Sequence, residues 1–109
     1  MINSAVIVGR VGQDPEMKYF ESGKVKTTFS LAVNRWSKSG EKTDWYRVEL
    51  WDKPAEIAGE YVKKGRQVAV EGRLDLNQWT DASGEKREAY VIKGTELRLL
   101  GGKVDQQAA

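Results

Sequence analysis

From Thr43 to Trp51, apolar or aromatic side chains alternate with charged ones, and no Gly or Pro breaks the run. Aromatic and β-branched residues in strict alternation favour a half-buried strand. Successive side chains on a strand point to opposite faces. Tyr46, Val48 and Leu50 therefore share one face, and Trp45, Arg47, Glu49 and Trp51 share the other. The first set is an ordinary core face. The second places two indoles beside an arginine and a glutamate, where a strand normally meets water, and a large ring on a polar face needs a reason. Such rings cover a barrel end, meet another subunit, or receive a flat ligand.

The flanking segments extend the pattern. Residues 2–11 read as a first strand, apolar on both parities at Ala5-Val6-Ile7-Val8, which predicts burial on both faces and hence an oligomer contact. Gln13-Asp14-Pro15-Glu16 reads as a turn with Asp14 capping locally, Met17–Phe20 as an extended piece, and Glu21-Ser22-Gly23-Lys24 as a hairpin loop. Residues 25–36 form a long second strand with Val25, Thr27, Phe29, Leu31 and Val33 toward the core and Trp36 on the opposite parity. Ser37–Lys42 reads as a mobile polar loop before the third strand, residues 43–51. One helix follows. Asp52 or Lys53 is expected to cap it, Pro54 sits in its first turn, and Lys63-Lys64-Gly65 ends it. Ile57, Ala58, Tyr61 and Val62 form its buried face. Gln67–Trp79 is a fourth strand, with Val68, Val70, Gly72, Leu74 and Leu76 inward and Trp79 outward. Asp81–Lys86 is a second long polar loop. Arg87–Leu100 is the last strand, and its apolar parity switches from Tyr90 and Ile92 to Leu97 and Leu99 across Gly94, which predicts a bulge.

The chain has 109 residues, enough for one domain, which we place at 1–102, with 103–109 as a disordered end. It contains no Cys and no His, which removes disulfides, the usual zinc ligands and histidine bases. No metal site or cofactor is expected. Asp14-Pro15-Glu16 offers too few converging carboxylates for a hard cation. There is no secretion signal and no apolar run near the ~20 residues of a membrane span, so a cytoplasmic location is expected. The net charge of +2 permits an anionic partner.

Five strands with a helix between the third and fourth predict an all-β, five-stranded Greek-key OB-fold barrel. All four tryptophans take the non-core parity, which chance gives roughly one time in sixteen, so their common side is a feature to explain. Arg47, Arg73, Lys26 and Lys38 lie on that parity or in the adjoining loops. Rings interspersed with cations suit single-stranded nucleic acid, whose unpaired bases expose flat π-faces and whose phosphates attract Lys and Arg.

These residues resemble the bacterial-type single-stranded DNA-binding proteins (SSB). The resemblance runs from about Val6 to Gly102. It is carried by Val8–Glu16, Thr43–Val48, Tyr61–Gly65, Val70–Leu74 with Trp79-Thr80-Asp81, and Leu99–Gly102. It implies that Trp36, Trp45, Trp51 and Trp79 stack on bases, Trp51 standing where relatives often have Phe. It implies a homotetramer that wraps single strands in the cytoplasm at the nucleoid, serving replication, recombination and repair. Asp75-Leu76-Asn77-Gln78 departs from relatives, which often carry basic residues there. Relatives also continue into a flexible tail with an acidic tip that recruits other proteins. These residues reach Ala109 without one, so recruitment is not carried over.

The expected phosphate contacts are Arg35, Lys38, Lys42, Arg47, Lys53, Arg73, Lys86 and Arg87. The expected function is non-enzymatic, sequence-independent binding and protection of single-stranded DNA. The alternatives are an oligosaccharide- or protein-binding barrel, disfavoured for neutral sugars by the cations, and a metal-dependent nuclease, disfavoured by scattered carboxylates.

Overall fold

The computed structural model describes residues 1–101, so the expectation for 103–109 lies outside the described residues. Seven elements follow in chain order: β1 Ala5–Val11, β2 Glu16–Tyr19, β3 Val25–Ser37, β4 Gly40–Trp51, α1 Asp52–Tyr61, β5 Gln67–Thr80 and β6 Lys86–Leu99. Strands pair in the order β1-β5-β6-β4-β3, and β1 returns to β3 at Arg10↔Ala32 and Val11↔Leu31. That last pairing closes a five-stranded barrel, as the strand and helix order predicted. The short β2 is an addition. It runs along β3 beyond the end of β1, because the Gly12–Pro15 turn interrupts one edge without ending its course.

Burial alternates along β3 and β4 as their sequences predict. Val25, Phe29, Leu31, Val48 and Leu50 are buried together with Val11, Val68, Val70 and Ile92. Ala55, Ala58 and Val62 of the helical segment close one end of this core. Thr27 is the polar member, and its hydroxyl donates to the Ala55 carbonyl at 2.7 Å, tying α1 to the barrel. The expected bulge is present: Glu71 pairs with Glu96 and Gly72 with Gly94, leaving Thr95 as the extra residue.

Several local expectations are corrected. Neither Asp52 nor Lys53 caps α1; extended Trp51 stands at the N-cap without a side-chain hydrogen bond, and Asp52 takes φ +57°. Asp14 accepts from the Lys64 backbone N–H at 2.9 Å, so it joins two distant turns where a local cap was expected. Tyr61 is exposed and Ala55 takes its place on the buried face, because the helix ends at Tyr61 and the chain turns extended at Val62. Ser37–Lys42 is not a long loop but strand around a tight turn. β3 and β4 pair as far as Ser37↔Gly40, leaving Lys38-Ser39 as a two-residue turn, with Gly40 at φ +112° and Ser37 Oγ donating to the Gly40 carbonyl. Asp81–Lys86 does join the last two strands as a polar loop, as expected, and it folds around one carboxylate. Asp81 accepts from the backbone N–H groups of Ser83 and Glu85, the Ser83 hydroxyl and Arg87 Nε. Leu76 and Tyr90 share the core parity but are exposed, because the paired β5–β6 hairpin runs past the barrel. Burial of β1 on both faces is not seen in the single chain: Val6 and Val8 are 62% and 45% exposed.

Candidate nucleic-acid interface

The outer surface of β3 and β4 is one continuous face, because each β4 residue lies beside its β3 partner on the same side of the sheet. Its rows run Trp36 beside Glu41, Asn34 beside Thr43, Ala32 beside Trp45, Ser30 beside Arg47, Thr28 beside Glu49, and Lys26 beside Trp51. On one flank β2 adds Glu16 next to Thr28 and Lys18 next to Lys26. On the other, β6 lies parallel to β4 and adds Val91 beside Arg47 and Lys93 beside Glu49. β5 then brings Arg73 beside Lys93 and Trp79 beside Arg87. Trp36, Trp45, Trp51 and Trp79 are 80%, 61%, 37% and 49% exposed. None is in the core.

Two of the four rings rest on defined neighbours. Trp45 rests on the backbone of Gly12: a Cβ there would lie 2.5 Å from Cζ3 of the indole. Trp51 is the most constrained. Phe20 stacks on it with centroids 5.4 Å apart, Lys26 Nζ sits 5.6 Å from its ring centroid, and its Nε1 donates to Glu49 at 2.9 Å. Trp36 stands beside the β3–β4 turn. Trp79 lies on the hairpin arm and lines a groove of about 540 Å³ with Gln78, Thr80, Lys86, Arg87 and Glu88. Trp45 and Trp51 are six positions apart on β4, about 20 Å at a strand's rise, so no single base spans them. Between them lies a groove of about 160 Å³ lined by Glu16, Lys18, Lys26, Thr28, Arg47 and Glu49.

The cations divide into two groups. Arg35, Arg73 and Arg87 are already paired, with Asp44 at 2.8 Å, Asp75 at 3.0 Å and Asp81 at 2.8 Å. Lys38, Lys42, Arg47, Lys53 and Lys86 have no ion-pair partner among the described residues. Arg47 faces the groove between Trp45 and Trp51, Lys38 sits in the turn beside Trp36, and Lys86 lies beside Trp79. Lys53 belongs elsewhere: it lines a separate groove with Pro54, Ile57, Glu96, Leu97 and Arg98. Phe20 and Lys18, not among the expected contacts, lie at the same face: Phe20 stacks on Trp51 and Lys18 lines the groove beside it. The tight 21–24 loop already pointed to them, since a symmetric hairpin sets Tyr19 against Val25 and therefore Lys18 against Lys26.

Two carboxylates stand out. Burial works to raise the Glu49 pKa, but hydrogen bonds from Trp51 and Lys93 and the charges of Lys93 and Lys26 outweigh it, and the net shift is downward. Asp81 is held down at about 2 by hydrogen bonds from Ser83 and then Arg87.

A profile described as "Single-strand binding protein family" matches residues 2–100. The "Single-stranded DNA-binding protein 1" of Nostoc sp. is 52% identical over 106 residues, covering 96% of this chain and 88% of that protein. The "Single-stranded DNA-binding protein 1" of Synechocystis sp. is 51% identical over 110 residues, covering 99% and 91%. Among solved structures, a "Plasmodium falciparum SSB complex with ssDNA" superposes with a TM-score of 0.79 at 28% identity, covering 92% of this chain and 96% of that one. Strand order, barrel closure and a match over nearly the full length agree: the chain belongs to the single-strand binding protein family.

Proposed function

We propose that this protein binds and protects single-stranded DNA without reading its sequence and without catalysing a reaction, in replication, recombination and repair. The observation that carries this reading is the set of four outward tryptophans with cations beside them, of which Arg47, Lys38 and Lys86 have no ion-pair partner among the described residues. Every base has a π-face, so stacking on Trp is indifferent to sequence and is worth about 1–3 kcal/mol per base. Duplex DNA hides those faces. Trp36, Trp45, Trp51 and Trp79 take bases in this reading. Arg47, Lys38 and Lys86 take phosphates first, and Arg35, Arg73 and Arg87 contribute only where phosphate displaces an aspartate; Lys42, opposite Arg35 on the other side of the β3–β4 ribbon from the rings, contributes less. Lys53 lies off the track and contributes least.

The chain acts as a homotetramer in the cytoplasm, at the nucleoid. The support for assembly is the exposed Val6 and Val8 on the outer face of β1, apolar side chains where a solvent-facing barrel surface would carry polar ones. Titrating oligo-dT at low salt while following Trp fluorescence tests the function. Quenching that weakens as salt rises is expected. A folded sample that shows no quenching at low salt refutes it. Light scattering gives the subunit number, and a monomer at micromolar concentration refutes the tetramer.

A further inference from the structure

Glu49 is a carboxylate in the path of an anionic ligand. It lies on the outer face of β4 two positions before Trp51, with its side chain only 14% exposed. One oxygen accepts both the Trp51 indole N–H at 2.9 Å and the Lys93 ammonium at 3.2 Å. The other lies 3.9 Å from Lys26 Nζ. Lys26 in turn sits over the Trp51 ring and lines the groove that holds Arg47 and Lys18. One acidic group thus occupies two of the cations nearest the rings and fixes the edge of one ring.

We propose that Glu49 is a positioning residue: it sets the orientation of the Trp51 indole and holds Lys26 and Lys93 away from phosphate, so that this end of the track binds by stacking with fewer phosphate contacts than its lysines would allow. The proposal rests on the single-stranded DNA reading above. Its physical basis is charge accounting. A lysine that leaves Glu49 for a phosphate exchanges one anion for another and strands a half-buried carboxylate, which is strongly unfavourable. Binding therefore gains no counterion release from Lys26 or Lys93 while Glu49 is ionised. At this end of the face Lys18 and Arg47 remain as phosphate contacts, and Phe20 backs the stacked ring.

The substitution Glu49→Gln separates the two roles. The glutamine carbonyl still accepts the indole N–H, but the charge that holds the lysines is gone. For single strands each additional phosphate contact steepens the dependence of log affinity on log salt by about 0.7. Two released lysines steepen it by about 1.4, so the ratio of variant to wild-type affinity falls about sevenfold between 50 and 200 mM salt.

The test measures oligo-dT affinity across that salt range for wild type, Glu49→Gln, Glu49→Gln with Lys26→Gln and Lys93→Gln, and Glu56→Gln. The last removes the same charge from the exposed side of α1. The expected result is a steeper slope for Glu49→Gln, a slope restored to the wild-type value by the two lysine substitutions, and no change for Glu56→Gln. The Trp51 indole N–H resonance, assigned with Trp51→Phe, should stay in place in Glu49→Gln and move in Glu49→Ala. Parallel salt lines for wild type and Glu49→Gln, or equal steepening by Glu56→Gln, overturn the electrostatic half. An indole resonance that moves in neither Glu49 variant overturns the positioning half. A folded wild type that fails to bind overturns the DNA reading itself, a result distinct from parallel lines.

Discussion

Replacing Gly12 by Ala adds one methyl group beneath Trp45, and its effect follows from a distance. The new Cβ would lie 2.5 Å from Cζ3 and 3.0 Å from Cη2 of the indole, whereas ordinary contact between such atoms starts near 3.4 Å. The ring must move outward by about 1 Å, since the backbone at Gly12 is held by its N–H donation to the Ser30 carbonyl at 2.9 Å. Trp45 is exposed on its far side, so it swings away at small cost and the fold loses less than about 1 kcal/mol. Stacking does depend on the placement of the ring. Losing it costs about 1–3 kcal/mol, roughly a 5- to 150-fold fall in affinity for oligo-dT. Gly12→Ala and Trp45→Ala act through one ring, so the double variant should bind no worse than Trp45→Ala alone. Urea melts and fluorescence titrations of the three variants check this. If Gly12→Ala binds as wild type does, or if the two losses add, Trp45 is not held by Gly12 in the binding state and the argument is wrong.

Other outcomes follow from the same contacts. Thr27→Val keeps the shape of a fully buried side chain and removes its bond to Ala55, so urea denaturation should show a loss of about 0.5–1.5 kcal/mol. No loss would mean the hydroxyl only fills space. Val6→Glu with Val8→Glu places charge on the outer face of β1; light scattering should show dissociation while circular dichroism stays native, and an unchanged assembly size would remove β1 as the contact. Asp81 has a folded pKa of about 2, below its usual 3.8, so what it contributes to the β5–β6 turn is complete above pH 3.8 and is lost as pH falls through 2. The Ser83 and Glu85 amide resonances should therefore titrate with a midpoint near 2; a midpoint near 3.8 shows that Asp81 does not hold the turn in solution.

The parity of β3 and β4 was legible because one face is buried and side chains alternate with period two, so a list of apolar positions is also a list of directions. The helix was read less well. Ile57, Ala58, Tyr61 and Val62 fit a helical stripe, and Ala58 and Val62 are buried as expected, but the helix stops at Tyr61, which is exposed, and Ala55, too small to draw notice, joins the packing. The outward direction of the four tryptophans was legible for the same reason as the core. The cations were not, because availability depends on the neighbours. Arg73 has Asp75 two positions on, which the alternation alone places on its own face; Arg35 meets Asp44 only through the β3–β4 pairing, and Arg87 meets Asp81 only through a folded turn. Glu49 was counted as an ordinary charge beside Arg47. Its importance appears only when β6 brings Lys93 alongside and β3 brings Lys26.

The same strand sets both sides of the barrel wall, and this explains how exposed rings are kept in place. Sliding β4 by one residue against its neighbours would turn Arg47 and Glu49 into the space now filled by Val48 and Leu50, both fully buried. An unpaired charge there is far more costly than the loss of any single outer contact. The register is therefore locked from the inside. Trp45, Arg47, Glu49 and Trp51 inherit that lock, although the outer face contributes little to stability by itself. A ligand that stacks on Trp45 and Trp51 meets rings already fixed in spacing, so little ordering cost remains at binding. This also separates the two kinds of mutation. Leu50→Ala should lower stability by about 2–5 kcal/mol and disturb binding only through unfolding. Trp51→Ala should do the reverse, and a Trp51→Ala variant that lost stability as Leu50→Ala does would show that the ring belongs to the core.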